Sequence, residues 1–229
     1  MRSIERPTWL DGDTVASKTS WEAVLLAAGA AIEAVERGGF ALARPPGHHA
    51  LSGRAMGFCL FNSAAVAARY AQAELGLARV AIVDWDVHHG NGTQEIFAED
   101  PSVLFVSLHQ WPFYPGSGGP REQGETLLNV PLAAGSGEAE YVRAFRELVE
   151  PAVRAFEPDL LLVSAGFDAH REDPLAGMRL EARSFEELAR RSAALGPRIA
   201  AVLEGGYNLS TLPELVEAAL EGFSANSSG

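Results

Sequence analysis

The stretch A78-R-V-A-I-V-D-W-D-V-H-H-G-N-G-T93 decides how this chain is read. Its first half, through Val83, is a short apolar run rich in β-branched residues, the pattern of a buried strand. The next six residues, Asp84 to His89, hold two carboxylates and two imidazoles. Charged and titratable groups at the end of a buried strand are costly unless something binds them. Side chains alternate along extended backbone, so Asp84, Asp86 and His88 face one side while Trp85 and Val87 face the other. That arrangement suits a cation. Asp oxygen and His nitrogen fit a borderline divalent ion such as Zn2+, and a third protein ligand would leave one position open for water. Asp168, at the end of "LLLVSAGFD" (160–168), is the best candidate for that third ligand. The alternative is that Asp86 and His88 merely pair with each other at a strand end.

Working outward, short apolar runs alternate with Ala/Leu/Glu/Arg stretches of helical period, which argues for βα units and a mainly parallel sheet in an α/β fold. Strands are expected at 39–44, 79–84, 103–108, 159–165 and 198–204, and helices near 20–37, 61–76, 138–156, 184–195 and 211–222. Thr19-x-x-Glu22, Ser184-x-x-Glu187 and Thr211-x-x-Glu214 each fit a capping box at a helix start. The unusual residues all follow strands: "RPPGHHA" the first, "DWDVHHGNGT" the second, "SLH" the third, "SAGFDAH" the fourth and "EGGYN" the fifth. In open parallel sheets ligands bind at the carboxyl edge, so five placements converge on one crevice.

Within that crevice, "RPPGHH" (44–49) fixes the backbone carrying His48 and His49. Tandem imidazoles suit proton transfer near neutral pH, and each needs a partner to set its tautomer. Asp84 and Asn91 are the obvious partners, one charged and one neutral, so the two rings can differ in role. Tyr207 follows Gly205 and Gly206, where the backbone can bend tightly and bring a phenol to the crevice as a hydrogen-bond donor to a developing oxyanion. Phe58 and Tyr114, in Gly- and Pro-rich loops, would flank a narrow apolar slot.

Composition bounds the rest. The chain has 229 residues and 47% hydrophobic content, enough for one large domain, assigned here to 1–223 with a disordered tail from Ser224. Its single cysteine, Cys59, excludes an internal disulfide and a cysteine-cluster zinc site. A net charge of −12 with no basic stripe argues against direct nucleic-acid binding and favours cationic partners. No apolar stretch reaches the roughly 20 residues of a membrane span and no signal-peptide pattern opens the chain, so a soluble, cytoplasmic protein without membrane contact is expected. The sequons at Asn91, Asn208 and Asn226 are read as unmodified.

Taken in order, "RPPGHHA", "GFCLFNSAAVAAR", "VDWDVHHGNGTQEIF", "VSLH", "FYPGSG", "NVPL", "LVSAGFDAHREDPLAGM" and "LEGGYNL" resemble the zinc-dependent histone deacetylase family. The closest likeness is to its class II branch and to the bacterial deacetylase-like and acetylpolyamine amidohydrolase relatives. The resemblance covers Asp11 to Phe223. It implies a three-layer arginase/deacetylase-like α/β fold and hydrolysis of an acetyl amide on a lysine of a peptide or protein, or on a small amine. By motif, Asp86, His88 and Asp168 would hold the zinc. His49 would be the general base, His48 its neighbour paired with Asp84, and Tyr207 would polarise the carbonyl. Gly57, Phe58, Tyr114, Leu175 and Gly206 would contact the acyl-lysine stem, with Asp13 at the rim. A structural K+ would be held by Asp84, Asp86, His88, Ser107 and Leu108, largely through carbonyls. Asn91 stands where class I members carry an aspartate, and Leu175 where polyamine-selective relatives carry an acid. The chain also begins late relative to the family pattern, which would leave apolar sheet uncovered. Two other readings remain open from residues alone: a binding protein for acyl-lysine, and a two-manganese ureohydrolase on the same fold.

Overall fold

A computed structural model describes residues 6–225. The chain runs through a small hairpin of β1 (Thr8–Trp9) and β2 (Val15–Ala16), then α1 (Ser20–Arg37), β3 (Phe40–Ala41), α2 (Ser63–Leu75), β4 (Val80–Asp84), α3 (Asn91–Phe97), β5 (Val103–Gln110) and β6 (Leu127–Leu132). It continues through α4 (Glu138–Ala144), a π-helical turn (Phe145–Val149), α5 (Glu150–Phe156), β7 (Leu160–Ala165), α6 (Ala182–Ala193), β8 (Ile199–Leu203) and α7 (Leu212–Ser224). Strands β3 to β8 form one sheet in the order β3-β8-β7-β4-β5-β6, and every pairing in it is parallel. All its carboxyl ends therefore open on one edge.

The alternation along the strands explains the three layers. Val80 and Ile82 of β4, Val103 and Phe105 of β5, and Leu160 and Leu162 of β7 pack into one buried cluster with the alanine faces of α1 and α2. Their neighbours Ala81, Val83, Leu104, Val106, Leu161 and Val163 pack into a second cluster with α4 to α7. A strand apolar on both faces is stable only when both are covered, which is the parallel-sheet signature.

Several details depart from the sequence expectations. The sheet has six strands, because "LLNVPL" also pairs, as the edge strand β6. The short hairpin β1-β2 and the one-turn-plus helix α3 were also unforeseen. None of the three expected capping boxes forms as written. Neither Thr19 nor Thr211 makes a side-chain cap bond. Ser184 lies inside α6, and its hydroxyl accepts the Glu181 N–H at 3.2 Å. The cap that does form on α2 is Asn62, whose Oδ1 accepts the Ala65 N–H at 2.9 Å. Ser224, expected to open a disordered tail, is the last residue of α7, while 226–229 and the Asn226 sequon lie outside the described residues. The central strands β4, β5 and β7 are buried throughout, and exposed apolar side chains include Leu25 and Leu26 of α1, Val66 of α2, Val15 of β2 and Leu42 after β3.

Candidate active site

Asp86 and His88 follow β4, and Asp168 follows β7, the neighbouring strand. One ligand atom from each of the three lies within 4.8 Å of the others, and among the described residues they form the one such group. The His88 Nδ1 is 2.9 Å from Asp168 Oδ2 and 3.1 Å from Asp86 Oδ1. Backbone amides grip the carboxylates from behind. Gly205 N–H donates to Asp86 Oδ2 at 2.7 Å, His88 N–H to Asp86 Oδ1 at 2.9 Å, and Val87 N–H to Asp168 Oδ1 at 2.9 Å. A Cβ at Gly205 would run into both carboxylates, which is why this loop needs glycine there.

The electrostatics match a cation site. Burial, and then the neighbouring Asp86, push Asp168 up to about 6. Burial also opposes ionisation of Asp86, but the charge of His48 and the bond from His88 outweigh it and hold the acid far down. Burial lowers His88, yet its bond to and the charge of Asp168 carry it up to about 10. Two fully buried acids thus face each other, and their only ion-pair partners among the described residues are His48 and His88. The donor set, two carboxylates and one imidazole with no ammonium or guanidinium among them, fits a divalent metal of zinc's character.

The tandem histidines sit beside this centre with the partners expected for them. His48 Nδ1–H donates to Asp84 Oδ2 at 2.9 Å, and His49 Nδ1–H to Asn91 Oδ1 at 2.8 Å. Their rings are 4.1 Å apart. Burial lowers His48, but Asp86 and Asp84 override it and hold the ring well above the usual range. Burial and the nearby His48 charge hold His49 well below it. The two imidazoles are thus pushed in opposite directions.

A narrow cavity of about 180 Å³ leads to this point, lined by His49, His88 and Tyr207 at its foot and by Gly57, Phe58, Tyr114, Leu175 and Asp13 above. Phe58 and Tyr207 meet edge to face at 5.6 Å, and Tyr114 stands edge-on to His49 at 5.2 Å. Gly57 has φ +59°, and a side chain there would meet the His49 ring. Gly206 is not among the residues that line the cavity; it precedes Tyr207, beside Leu212 and Phe167. Burial pushes the Tyr207 phenol far above its usual range, so it stays a hydrogen-bond donor. Asp13 arrives on the β1-β2 hairpin, where Asp11 Oδ1 accepts the N–H groups of Asp13 and Thr14 at 3.1 and 2.7 Å. Asp13 Oδ1 then accepts the Gly57 N–H at 3.2 Å, tying the rim to the cavity wall. Of the residues expected at the potassium position, Asp84 and Ser107 are register partners on adjacent strands, and Asp84, Asp86, His88, Ser107 and Leu108 are all buried.

Sequence reasoning missed Phe113, which stacks on His88 with centroids 5.2 Å apart. It also missed Glu204, a fully buried acid whose Oε2 accepts the Gly47 and His48 N–H groups at 2.6 and 3.1 Å. The available signal was its place in "LEGGYN": an acid directly after a buried strand needs partners as much as Asp84 does.

A parallel six-stranded sheet between two helical layers, with an Asp-His-Asp centre beneath an aromatic cavity at its carboxyl edge, places the molecule in the arginase/deacetylase fold class. The chain matches the family described as "Histone deacetylase domain" over residues 2–223. It is 47% identical over 227 residues to histone deacetylase 10, chloroplastic, of Oryza sativa subsp. japonica, covering 90% of this chain and 51% of that protein. Among solved structures, the HDA15 HD domain superposes with TM-score 0.92 at 42% identity, over 95% of this chain and 66% of that one. An acetylpolyamine aminohydrolase from Burkholderia pseudomallei follows at TM-score 0.89 and 36% identity, over 94% and 66% of the two chains. The chain belongs to the histone deacetylase domain family, and it spans about half the length of the rice relative.

Proposed function

We propose that this chain is a zinc-dependent deacetylase, a single catalytic domain over 1–223 that hydrolyses the acetyl amide of a lysine side chain or a related amine to acetate and free amine. Asp86, His88 and Asp168 would hold the zinc. Bound there, the ion supplies Lewis acidity for an amide carbonyl and lowers the pKa of water toward ~7. His49, kept neutral by burial and by its charged neighbour, accepts the proton of the attacking water and passes it to the amine nitrogen as the C–N bond breaks. His48, held charged by Asp84 and Asp86, stays a positive neighbour to the reacting carbonyl. Tyr207 donates its O–H to the developing oxyanion. Phe58 and Tyr114 enclose the aliphatic stem of the substrate and exclude water, while Asp13 at the rim accepts from the substrate backbone. The residues at the β4-β5 edge, with Asp84 and Ser107 side by side, would hold the structural K+.

The observation that carries this reading is the meeting of three cation donors with His49 and Tyr207 at the foot of one cavity. The single group of metal-capable residues among those described favours one ion over a two-manganese site. Leu175, half-exposed at the mouth, offers no charge to a polyamine, which favours acyl-lysine over an acetylated polyamine. The decisive assay is turnover of a fluorogenic acetyl-lysine peptide by zinc-loaded protein, with and without chelator. Turnover abolished by chelator and restored by zinc is expected; peptide binding with no turnover would replace the enzyme by an acyl-lysine binder.

A further inference from the structure

The peptide unit that carries Tyr207 is held at both ends by opposite charges. The Gly206 carbonyl accepts from Arg44 Nη2 at 2.7 Å, and the Tyr207 N–H of the same peptide donates to Asp173 Oδ2 at 2.7 Å. Arg44 also donates from Nη1 to the Glu204 carbonyl at 2.5 Å, and its guanidinium lies 5.6 Å from the centroid of the Tyr207 ring. Asp173 is buried, and its other oxygen accepts the Leu175 N–H at 3.0 Å.

This arrangement has a physical consequence. Gly206 has φ +120°, a region open chiefly to glycine, and a peptide next to a glycine can rotate with little steric resistance. Rotation here would turn the carbonyl toward the Asp173 carboxylate and the N–H toward the Arg44 guanidinium, reversing two charge-assisted bonds at once. Fixing that peptide plane fixes ψ of Gly206 and φ of Tyr207, and so holds the backbone from which the phenol reaches the cavity. We infer that Arg44 and Asp173 are positioning residues that lock the Gly206–Tyr207 peptide and so aim the Tyr207 hydroxyl into the cavity. Arg44 belongs to the loop that carries His48 and His49, and Asp173 to the loop that carries Asp168 and Leu175. The lock therefore registers the tyrosine against both walls of the site.

The inference rests on the deacetylase reading only for its kinetic test, and a second measurement does without it. In zinc-loaded protein acting on the fluorogenic acetyl-lysine peptide, Arg44→Met is expected to lower kcat by about 10- to 100-fold, with KM within about threefold and zinc content unchanged. Arg44→Lys, which keeps the charge but not the two-pronged reach, should fall between. In a Tyr207→Phe background the same Arg44→Met change should cost less than about twofold, since the hydroxyl it aims is gone. Losses that simply multiply would overturn the proposal and leave Arg44 a general stabiliser. In metal-free protein, amide hydrogen exchange reads the lock directly. Arg44→Met should speed exchange of the Tyr207 amide at least about tenfold while Leu162 and Val163 of β7 keep their rates. An unchanged Tyr207 amide would overturn it. If wild-type protein shows no turnover, the deacetylase reading fails and the exchange result alone decides this one.

Discussion

At the scale of single residues, the proposed function separates groups that would hold a cation from groups that would act on a substrate. Asp168 belongs to the group that could hold a cation, whereas Tyr207 would offer only its O–H. Asp168→Ala is therefore expected to lose bound zinc, and Tyr207→Phe to keep it while turnover falls by about 10² to 10³. Metal analysis alongside kinetics checks both; equal zinc in the two variants would refute this division of roles. The pKa pattern yields a second test. In metal-free protein His88 is raised to about 10 while Asp168 is near 6, so at pH 8 the imidazole is protonated and both acids are ionised. A metal binds only the neutral ring, so zinc uptake at pH 8 should release at least about one proton and weaken as pH falls. Calorimetry in two buffers of different ionisation enthalpy counts that proton, and a count of zero would contradict the assignment of His88.

At the scale of elements, close approach overrides intrinsic preference. Gly222 lies inside α7, where glycine is about 1 kcal/mol worse than alanine in a free helix. A Cβ there would collide with the Glu186 carbonyl of α6 and come within 2.8 Å of the Ala189 Cβ. Gly222→Ala is thus expected to destabilise by about 1 to 3 kcal/mol instead of stabilising, read as a lower urea midpoint at unchanged m-value. The same competition explains elements that the pattern of residues hides. Pro131 inside "LLNVPL" argues against a strand, yet β6 pairs only with β5 and an edge tolerates a missing N–H. The two-residue strands of the first hairpin are too short to show alternation; what secures that hairpin to the site is the bonding of Asp13 and Thr14 to Gly57 and Phe58.

At the scale of the whole molecule, the active centre is a concentration of buried charge that the rest of the fold must sustain. Two apolar clusters, one on each face of the sheet, surround two buried acids that repel one another and share only imidazole partners. Zinc held by the folded state alone would raise the thermal midpoint, by an amount equivalent to about 2.7 kcal/mol at a hundredfold excess over Kd. Thermal melts with zinc, with chelator and with both Asp168→Ala and wild-type chains test this, and a zinc-induced rise that survives in Asp168→Ala would place the ion elsewhere. A net charge of −12 also predicts that association with cationic acetyl-lysine peptides slows as ionic strength rises.

What the sequence by itself determined was local and periodic: apolar runs for most of the central strands, helical period between them, and the rule that polar clusters after parallel strands share an edge. That was enough to bring Asp86, His88, Asp168, His48, His49 and Tyr207 to one place and to name Asp84 and Asn91 as partners of the tandem histidines; the family resemblance implied which ring takes which, as the contacts have it. Tertiary structure alone decided which distant side chains complete those motifs. Arg44 reaches residues 160 and 162 positions away, and Glu204 turns back on Gly47 and His48. Phe113 meets His88 only because β5 lies beside β4. No periodicity along the chain encodes such contacts. They follow from strand order in the sheet, which is settled by packing both faces at once, and so the donors to the tyrosine loop become visible only when the sheet is closed.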